Sequence, residues 1–277
     1  MFRELVVAHT PDPDDAYMFY GLVSGHVKVG DYSIQHVLLD IETINRGVVE
    51  EGRRFDVCAL SAHAFAYVSN NYYLMIAGAS MGEGYGPILV AKRKIDNLRG
   101  KKIAVPGKYT TARLLLKLAI GEFEEVHVRF DQVPALVKRG DVDAGLLIHE
   151  EQIAYEERGL VKVFDLWEWW ENVGNGLPMP LGVNVVGKWL GMDLAAKIRR
   201  ALQESIKFAW EHHDEALKYA IRFSRVRDRK LVDRFVRMYV NKRTYDMGED
   251  GRKALELLYR LAFEKKLIPK PVTIEYV

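Results

Sequence analysis

Leu5-Val6-Val7-Ala8-His9 runs directly into Thr10-Pro11-Asp12-Pro13-Asp14-Asp15, and Ala16-Tyr17-Met18-Phe19 follows. The apolar run reads as a short strand. Two prolines forbid its continuation, and the aspartates are of the type that opens a helix, here one carrying Met18, Phe19 and Leu22. A strand-to-helix corner of this kind is the building unit of an α/β fold. Working outward from it, strands are expected at 33–39, 56–60 and 86–91, with helices starting near Ile41 and Ser61. The alternation predicts largely parallel sheets, and these elements make a first lobe.

The charged, turn-like stretch 92–100 separates that lobe from a second series, in which the periods restart. It comprises a strand at 102–106, a helix at 111–120, a strand at 125–130, a helix at 132–138 and strands at 144–148 and 160–164. Gly176-Leu177-Pro178-Met179-Pro180-Leu181-Gly182 is irregular, as a crossing back would be, and 183–186 reads as a strand rejoining the first lobe. Beyond Asp193 the period becomes helical, with Ala195, Ile198, Leu202, Ile206 and Ala209 on one face. Asp214, Asp228 and Gly248 mark the bounds of three further helices, one of them with the stripe Leu231, Phe235 and Met238. The expected organisation is two-lobed. Residues 1–91 plus 182–277 form a discontinuous α/β lobe, 92–181 an inserted α/β lobe, the helical C-terminal region packs on the first, and a ligand cleft lies between them.

The chain has 277 residues, 49% apolar and 28% charged, which excludes a disordered tail, a coiled-coil rod and a collagenous repeat. Forty Lys plus Arg against 38 Asp plus Glu is too balanced for a nucleic-acid binder. The single cysteine, Cys58, excludes an internal disulfide and a cysteine-based zinc site. Met1-Phe2-Arg3-Glu4 leads straight into Leu5 and then Pro11, leaving no room for a signal-peptide core, and no apolar run reaches the length of a membrane span. A cytoplasmic protein is expected.

In open α/β sheets ligands sit beyond the carboxyl ends of strands, where loops converge and helix N-termini present free N–H groups. Four segments fall there: His9 to Asp15, Ser61-Ala62-His63, Gly107-Lys108-Tyr109-Thr110-Thr111 and His149-Glu150. The third reads as an anion cradle. Gly107 frees the backbone and two hydroxyls stand where a helix begins, although a plain helix cap by Thr110 or Thr111 competes with that reading. His149 emerges at a strand end with Glu150 beside it and is a candidate general base; a half-buried histidine bonded to a carbonyl is the alternative. Asp12, Asp14 and Asp15 suit a cation, substrate hydroxyls or an acidic helix entrance. Trp167, Trp169 and Trp170 suit packing, with an aromatic wall or a membrane anchor as alternatives. Ser61 lacks a nucleophile elbow, and no two-histidine ligand spacing is present.

The order and spacing of several motifs carry a resemblance that spans nearly the whole chain. They are Thr10 to Asp15 through Phe19-Tyr20, Asp40-Ile41-Glu42-Thr43-Ile44-Asn45, Leu60-Ser61, Val105-Pro106-Gly107 with Thr110-Thr111, and Gly145-Leu146-Leu147-Ile148-His149-Glu150. Trp169-Trp170, 176–182 and Tyr239-Val240-Asn241 continue it. Together they resemble the 1,4-dihydroxy-6-naphthoate synthase family of the futalosine route to menaquinone. The resemblance implies the two-lobed fold of type 2 periplasmic binding proteins. It implies a carbon–carbon lyase that splits cyclic dehypoxanthinylfutalosine into 1,4-dihydroxy-6-naphthoate and a small dihydroxyketone fragment, with no metal and no organic cofactor. The family's base falls on His149. Substrate contacts carried over in the same way fall on Ala59, Leu60 and Ser61 and on Thr110, Thr111 and Ala112, with Asp12 and Asp14 at the first loop.

Two departures stand out. Bacterial relatives commonly read Ser-Pro-Cys-Pro-Asn-Asp at the first loop, and a lysine often stands at the position of Ala59. Asp12 thus adds negative charge near a carboxylate substrate, so that either the carboxylate binds in the other lobe or the substrate is modified. The partner expected is a small-molecule carboxylate, with no nucleic acid and no membrane span; monomer and dimer stay open. Competing readings are a non-catalytic solute-binding protein of the same fold and the sister chorismate dehydratase. A ligand-sensing regulator would carry a DNA-binding segment, and none is visible.

Overall fold

The computed structural model describes residues 3–149, 151–226 and 228–277; Met1, Phe2, Glu150 and Arg227 lie outside the described residues. In chain order the strands are β1 (Arg3–His9), β2 (Tyr32–Leu38), β3 (Val57–Ser61), β4 (Tyr72–Leu74), β5 (Ser80–Gly82), β6 (Ile88–Ala91), β7 (Lys102–Val105), β8 (Glu124–His127), β9 (Ala144–Leu147), β10 (Val161–Asp165) and β11 (Met179–Gly187). They form two sheets. The first has the order β2-β1-β3-β11-β4 with β5 also on β11, and the second β10-β6-β9-β7-β8.

Both sheets are mixed, which corrects the expectation of largely parallel ones. β1 is parallel to β2 and β3, whereas β11 runs antiparallel to β3, β4 and β5. In the second sheet β7 is parallel to β8 and β9, and β6 is antiparallel to β9 and β10. The two antiparallel insertions, β6 and β11, are the segments on which the chain passes between sheets. The expected place of strand 86–91 in the first lobe is corrected with them. β6 is buried at all four positions, so it needs a partner on each edge, and it finds β9 and β10. Its neighbours in sequence could not reveal that. β4 and β5 were not anticipated, because three residues are too few to show a period.

The C-terminal helices pack on the first sheet. Ala195, Ile198, Leu202, Ile206 and Ala209 of Met192–Glu211 are all buried, in a core shared with Leu5, Val7, Tyr17, Met18 and Phe19. Apolar burial of this kind contributes roughly 25 cal/mol per Å². In Arg229–Tyr239, capped by Asp228 through Lys230 N, the buried face is Val232, Phe235, Val236 and Tyr239, one position along from the expected stripe. Trp170 of Leu166–Val173 is fully enclosed and its Nε1 donates to Leu177 O at 2.9 Å, so the tryptophan cluster packs the core. No helix among the described residues is long and apolar enough to cross a membrane.

Candidate active site

Loops from both sheets converge on a cavity of about 110 Å³, lined by apolar side chains interleaved with hydroxyl, carboxyl, amide and imidazole groups. From the first sheet come Thr10, Asp14, Asp15 and the end of β3. The register of β11 on β3 sets Asn184 beside Ala59 and Gly182 beside Ser61. From the second come Thr110, Thr111, Ala112, Ile148 and His149.

The end of β3 is held by a fully buried Asn45. Its Nδ2 donates to Ser61 Oγ at 3.0 Å, and its Oδ1 accepts from Ser61 N at 3.0 Å. That reciprocal pair fixes Ser61 without making it a nucleophile. Asn184 donates through Nδ2 to Gly78 O at 2.9 Å, tying β11 to the chain after β4.

Thr110 and Thr111 do not cap Thr111–Ile120. Thr110 Oγ1 donates to Gly107 O at 3.1 Å, while Thr111 Oγ1 donates to Leu181 O at 2.5 Å and accepts from His63 N at 3.2 Å. Of the anion cradle expected over 107–111, the N–H groups at 108 and 109 are taken by a carboxylate of the protein itself. Lys108 N donates to Glu42 Oε1 at 2.6 Å and Tyr109 N to Glu42 Oε2 at 3.1 Å. Burial pushes the Glu42 carboxyl up to about 6 against these bonds. The N–H groups of Lys108 and Tyr109 are thus occupied from within the chain. In the sequence Glu42 stood out only as part of the Asp40-to-Asn45 motif; it lies in the first turn of Ile41–Val49, which Asp40 caps through Thr43 N.

The first loop departs from a simple acidic helix entrance. Asp15 Oδ2 accepts from Thr10 N at 2.7 Å and Thr10 Oγ1 at 2.9 Å, folding the loop back on itself. Asp12 stands at the N-cap of Pro13–Met18 without capping it, because its Oδ1 accepts from Arg225 Nη1 at 2.9 Å. Asp12 is 1% exposed and sits behind the cavity wall. The extra charge of this loop is thus neutralised inside the protein. Arg225, far along the chain, had no sequence signal.

Burial first, and the Asp15 charge second, push Asp14 up to about 8; burial pushes Asp15 up to about 6. An unfolded carboxyl titrates near 3.8, so the folded chain keeps protons that the unfolded chain releases, and stability falls as pH rises from about 4 to 8. Asp14→Asn cannot ionise. Its stability gain over the parent should therefore grow between about pH 5 and pH 8, by on the order of 1–3 kcal/mol, read as diverging Tm values in a pH series. Parallel Tm curves would contradict a half-buried Asp14 whose enclosed carboxyl holds its proton.

His149 lies one residue beyond β9, after Ile148, with φ +53, a left-handed conformation that costs a non-glycine residue on the order of 1 kcal/mol. Its ring lies 4.8 Å from that of Phe130, and Nε2 stands 3.7 Å from Asp12 Oδ2. The other histidines are elsewhere. His63 is enclosed by Tyr67 and Tyr109 and pushed down to about 4 by burial, and His9 pairs with His36 at 3.0 Å. No group of three or more His, Cys, Asp or Glu side chains is arranged to hold a metal ion among the described residues.

Of the expected substrate contacts, Ala59, Leu60, Ser61, Thr110, Thr111, Ala112 and Asp14 line one cavity with His149. Sequence reasoning missed Asn184 and Thr244, which complete its wall, and Arg225 behind it. Asn184 lies inside a buried β run, where a lone polar residue is the available signal.

Two mixed sheets with loops meeting at a shared cavity, and helices of the C-terminal region on the first sheet, define a periplasmic-binding-protein-like fold. The alkanesulfonate-binding protein SsuA of Xanthomonas axonopodis pv. citri superposes with a TM-score of 0.73 at 12% identity, over 99% of this chain and 98% of its own. A family model for menaquinone biosynthesis matches residues 5–264, and the chain belongs to that family. It is 36% identical over 273 residues to the 1,4-dihydroxy-6-naphthoate synthase of Thermus thermophilus, covering 98% of this chain and 99% of the relative. The crystal structure of protein AF1704 from Archaeoglobus fulgidus is similar at 49% identity and a TM-score of 0.92, over 96% of this chain and 98% of that one.

Proposed function

We propose that the protein is a carbon–carbon lyase of menaquinone biosynthesis, converting cyclic dehypoxanthinylfutalosine to 1,4-dihydroxy-6-naphthoate in the cytoplasm, with His149 as general base. The observation that carries this reading is the position of His149, an imidazole just past a strand end in a cavity that Ser61 and the start of Thr111–Ile120 also line. The relative from Thermus thermophilus, whose name states that product, supports it.

In this mechanism the helix-start N–H groups at 111 and 112 and the Ser61 hydroxyl hold the substrate carboxylate and its neighbouring oxygens. The two sheets act as two lobes, the inserted one running from β6 to the start of β11, and their closure removes water. His149 takes a hydroxyl proton; the electron pair of that O–H bond forms a carbonyl, and the adjacent carbon–carbon bond breaks toward the ring. Aromatisation draws the reaction forward. A proton returned to the ring fragment completes the balance.

The test is incubation of purified protein with cyclic dehypoxanthinylfutalosine, followed by mass-spectrometric detection of the naphthoate. Multiple turnovers are expected. Tight binding without product would leave a solute-binding protein in its place.

A further inference from the structure

Four side chains from four separate segments, the His149 imidazole among them, form a closed ring of contacts. Asp12 follows β1, Phe130 precedes the helix Val133–Arg139, His149 follows β9, and Arg225 lies between the helices His213–Ile221 and Arg229–Tyr239. Arg225 Nη1 donates to Asp12 Oδ1 at 2.9 Å, and its guanidinium lies 4.5 Å from the centre of the Phe130 ring. Phe130 in turn packs on His149 at 4.8 Å, and His149 Nε2 faces Asp12 Oδ2 at 3.7 Å. The contacts join the loops of one sheet to those of the other.

Asp12 Oδ2 is enclosed and accepts no hydrogen bond among the described residues. A buried carboxylate oxygen left in that condition is costly, and an imidazole N–H directed at it removes the cost. The ring nitrogen that keeps the proton is set by the partner of that nitrogen, so a proton on Nε2 leaves the lone pair on Nδ1. We propose, on the reading that His149 is the base, that Asp12 and Arg225 are its positioning residues. The carboxylate holds the proton on Nε2, makes Nδ1 the atom that accepts the substrate's proton, and stabilises the imidazolium so formed.

The distance of 3.7 Å shortens by about 0.9 Å on reaching an ionic hydrogen bond of about 2.8 Å, a small movement of one sheet's loops toward the other's. Arg225 acts against Asp12, lowering the negative potential at the ring, and its stacking on Phe130 holds the wall behind His149. The other charged or titratable groups facing the ring are Asp14 and Asp15 of the first loop, both carrying raised carboxyl values, and Tyr239 of Arg229–Tyr239 lines the same cavity. On the His149 side Glu151 is paired with Arg158.

The experiment is ¹⁵N-histidine NMR of the full chain across a pH series, for the parent, Asp12→Asn, Arg225→Gln and Arg225→Lys, with Tm recorded for each and kinetics on cyclic dehypoxanthinylfutalosine run in parallel. In the parent, neutral His149 should carry its proton on Nε2. Asp12→Asn should lower the His149 titration midpoint by about one pH unit and reduce kcat about tenfold, with KM within about twofold. The acid limb of kcat/KM should move with the midpoint. Arg225→Gln should raise the midpoint by about half a unit, and Arg225→Lys should restore it. A parent with its proton on Nδ1, or an Asp12→Asn midpoint equal to the parent's, overturns the proposal. Because the midpoints and tautomer are read without substrate, they decide it even if the parent does not turn over the compound, a result that would remove only the assigned reaction.

Discussion

His149→Asn is expected to lower kcat/KM for naphthoate formation by about 10²–10⁴-fold, or roughly 3–5 kcal/mol of barrier, while the substrate still binds. Asparagine is the appropriate replacement on backbone grounds. It tolerates the left-handed region that His149 occupies at φ +53, so the loop after β9 keeps its path while the imidazole is removed. The rest of the lining, including Ser61 and the start of Thr111–Ile120, is unaltered. Calorimetric titration with the substrate alongside progress curves separates the two effects. Turnover within a few-fold of the parent would show that another group takes the proton.

Gly107→Ala should destabilise the protein by about 2–4 kcal/mol, on the order of 5–10 °C in Tm, and weaken substrate binding with it. Gly107 has φ +153, a conformation that side-chain-bearing residues rarely adopt, and a Cβ there would lie 2.4 Å from the Glu42 carboxyl carbon. That carboxyl is the internal ligand of the Lys108 and Tyr109 N–H groups, and it joins the helix Ile41–Val49 to the turn leading into Thr110–Ala112. Displacing it strands two donors and shifts the segment that forms the cavity wall. Thermal melts and the substrate Kd check both parts. An unchanged Tm would mean that the turn and Glu42 are not coupled.

The two cases differ in how much of the site local pattern discloses. His149 was visible because a run of apolar residues ending in an imidazole marks a strand end, and β9 is buried at all four positions. The stripe through Ala195, Ile198, Leu202, Ile206 and Ala209 was visible for the same kind of reason, since a helical period is written into neighbouring residues. By contrast, the carboxylate in the 107–109 turn comes from Glu42, and the charge balancing Asp12 comes from Arg225, both distant in the chain. Nothing near either acceptor announces its partner.

Strand and helix periods, the proline-bounded corner after β1 and the strand-end position of the candidate base are properties of short segments, and the amino-acid order alone determined them. The sheet that β6 joins, the antiparallel entry of β11, the filling of the 107–109 turn by Glu42 and the enclosure of Asp12 between Arg225 and His149 were decided only by the tertiary structure. Each depends on a pairing or burial energy between remote segments, which exists only once the chain has brought them together.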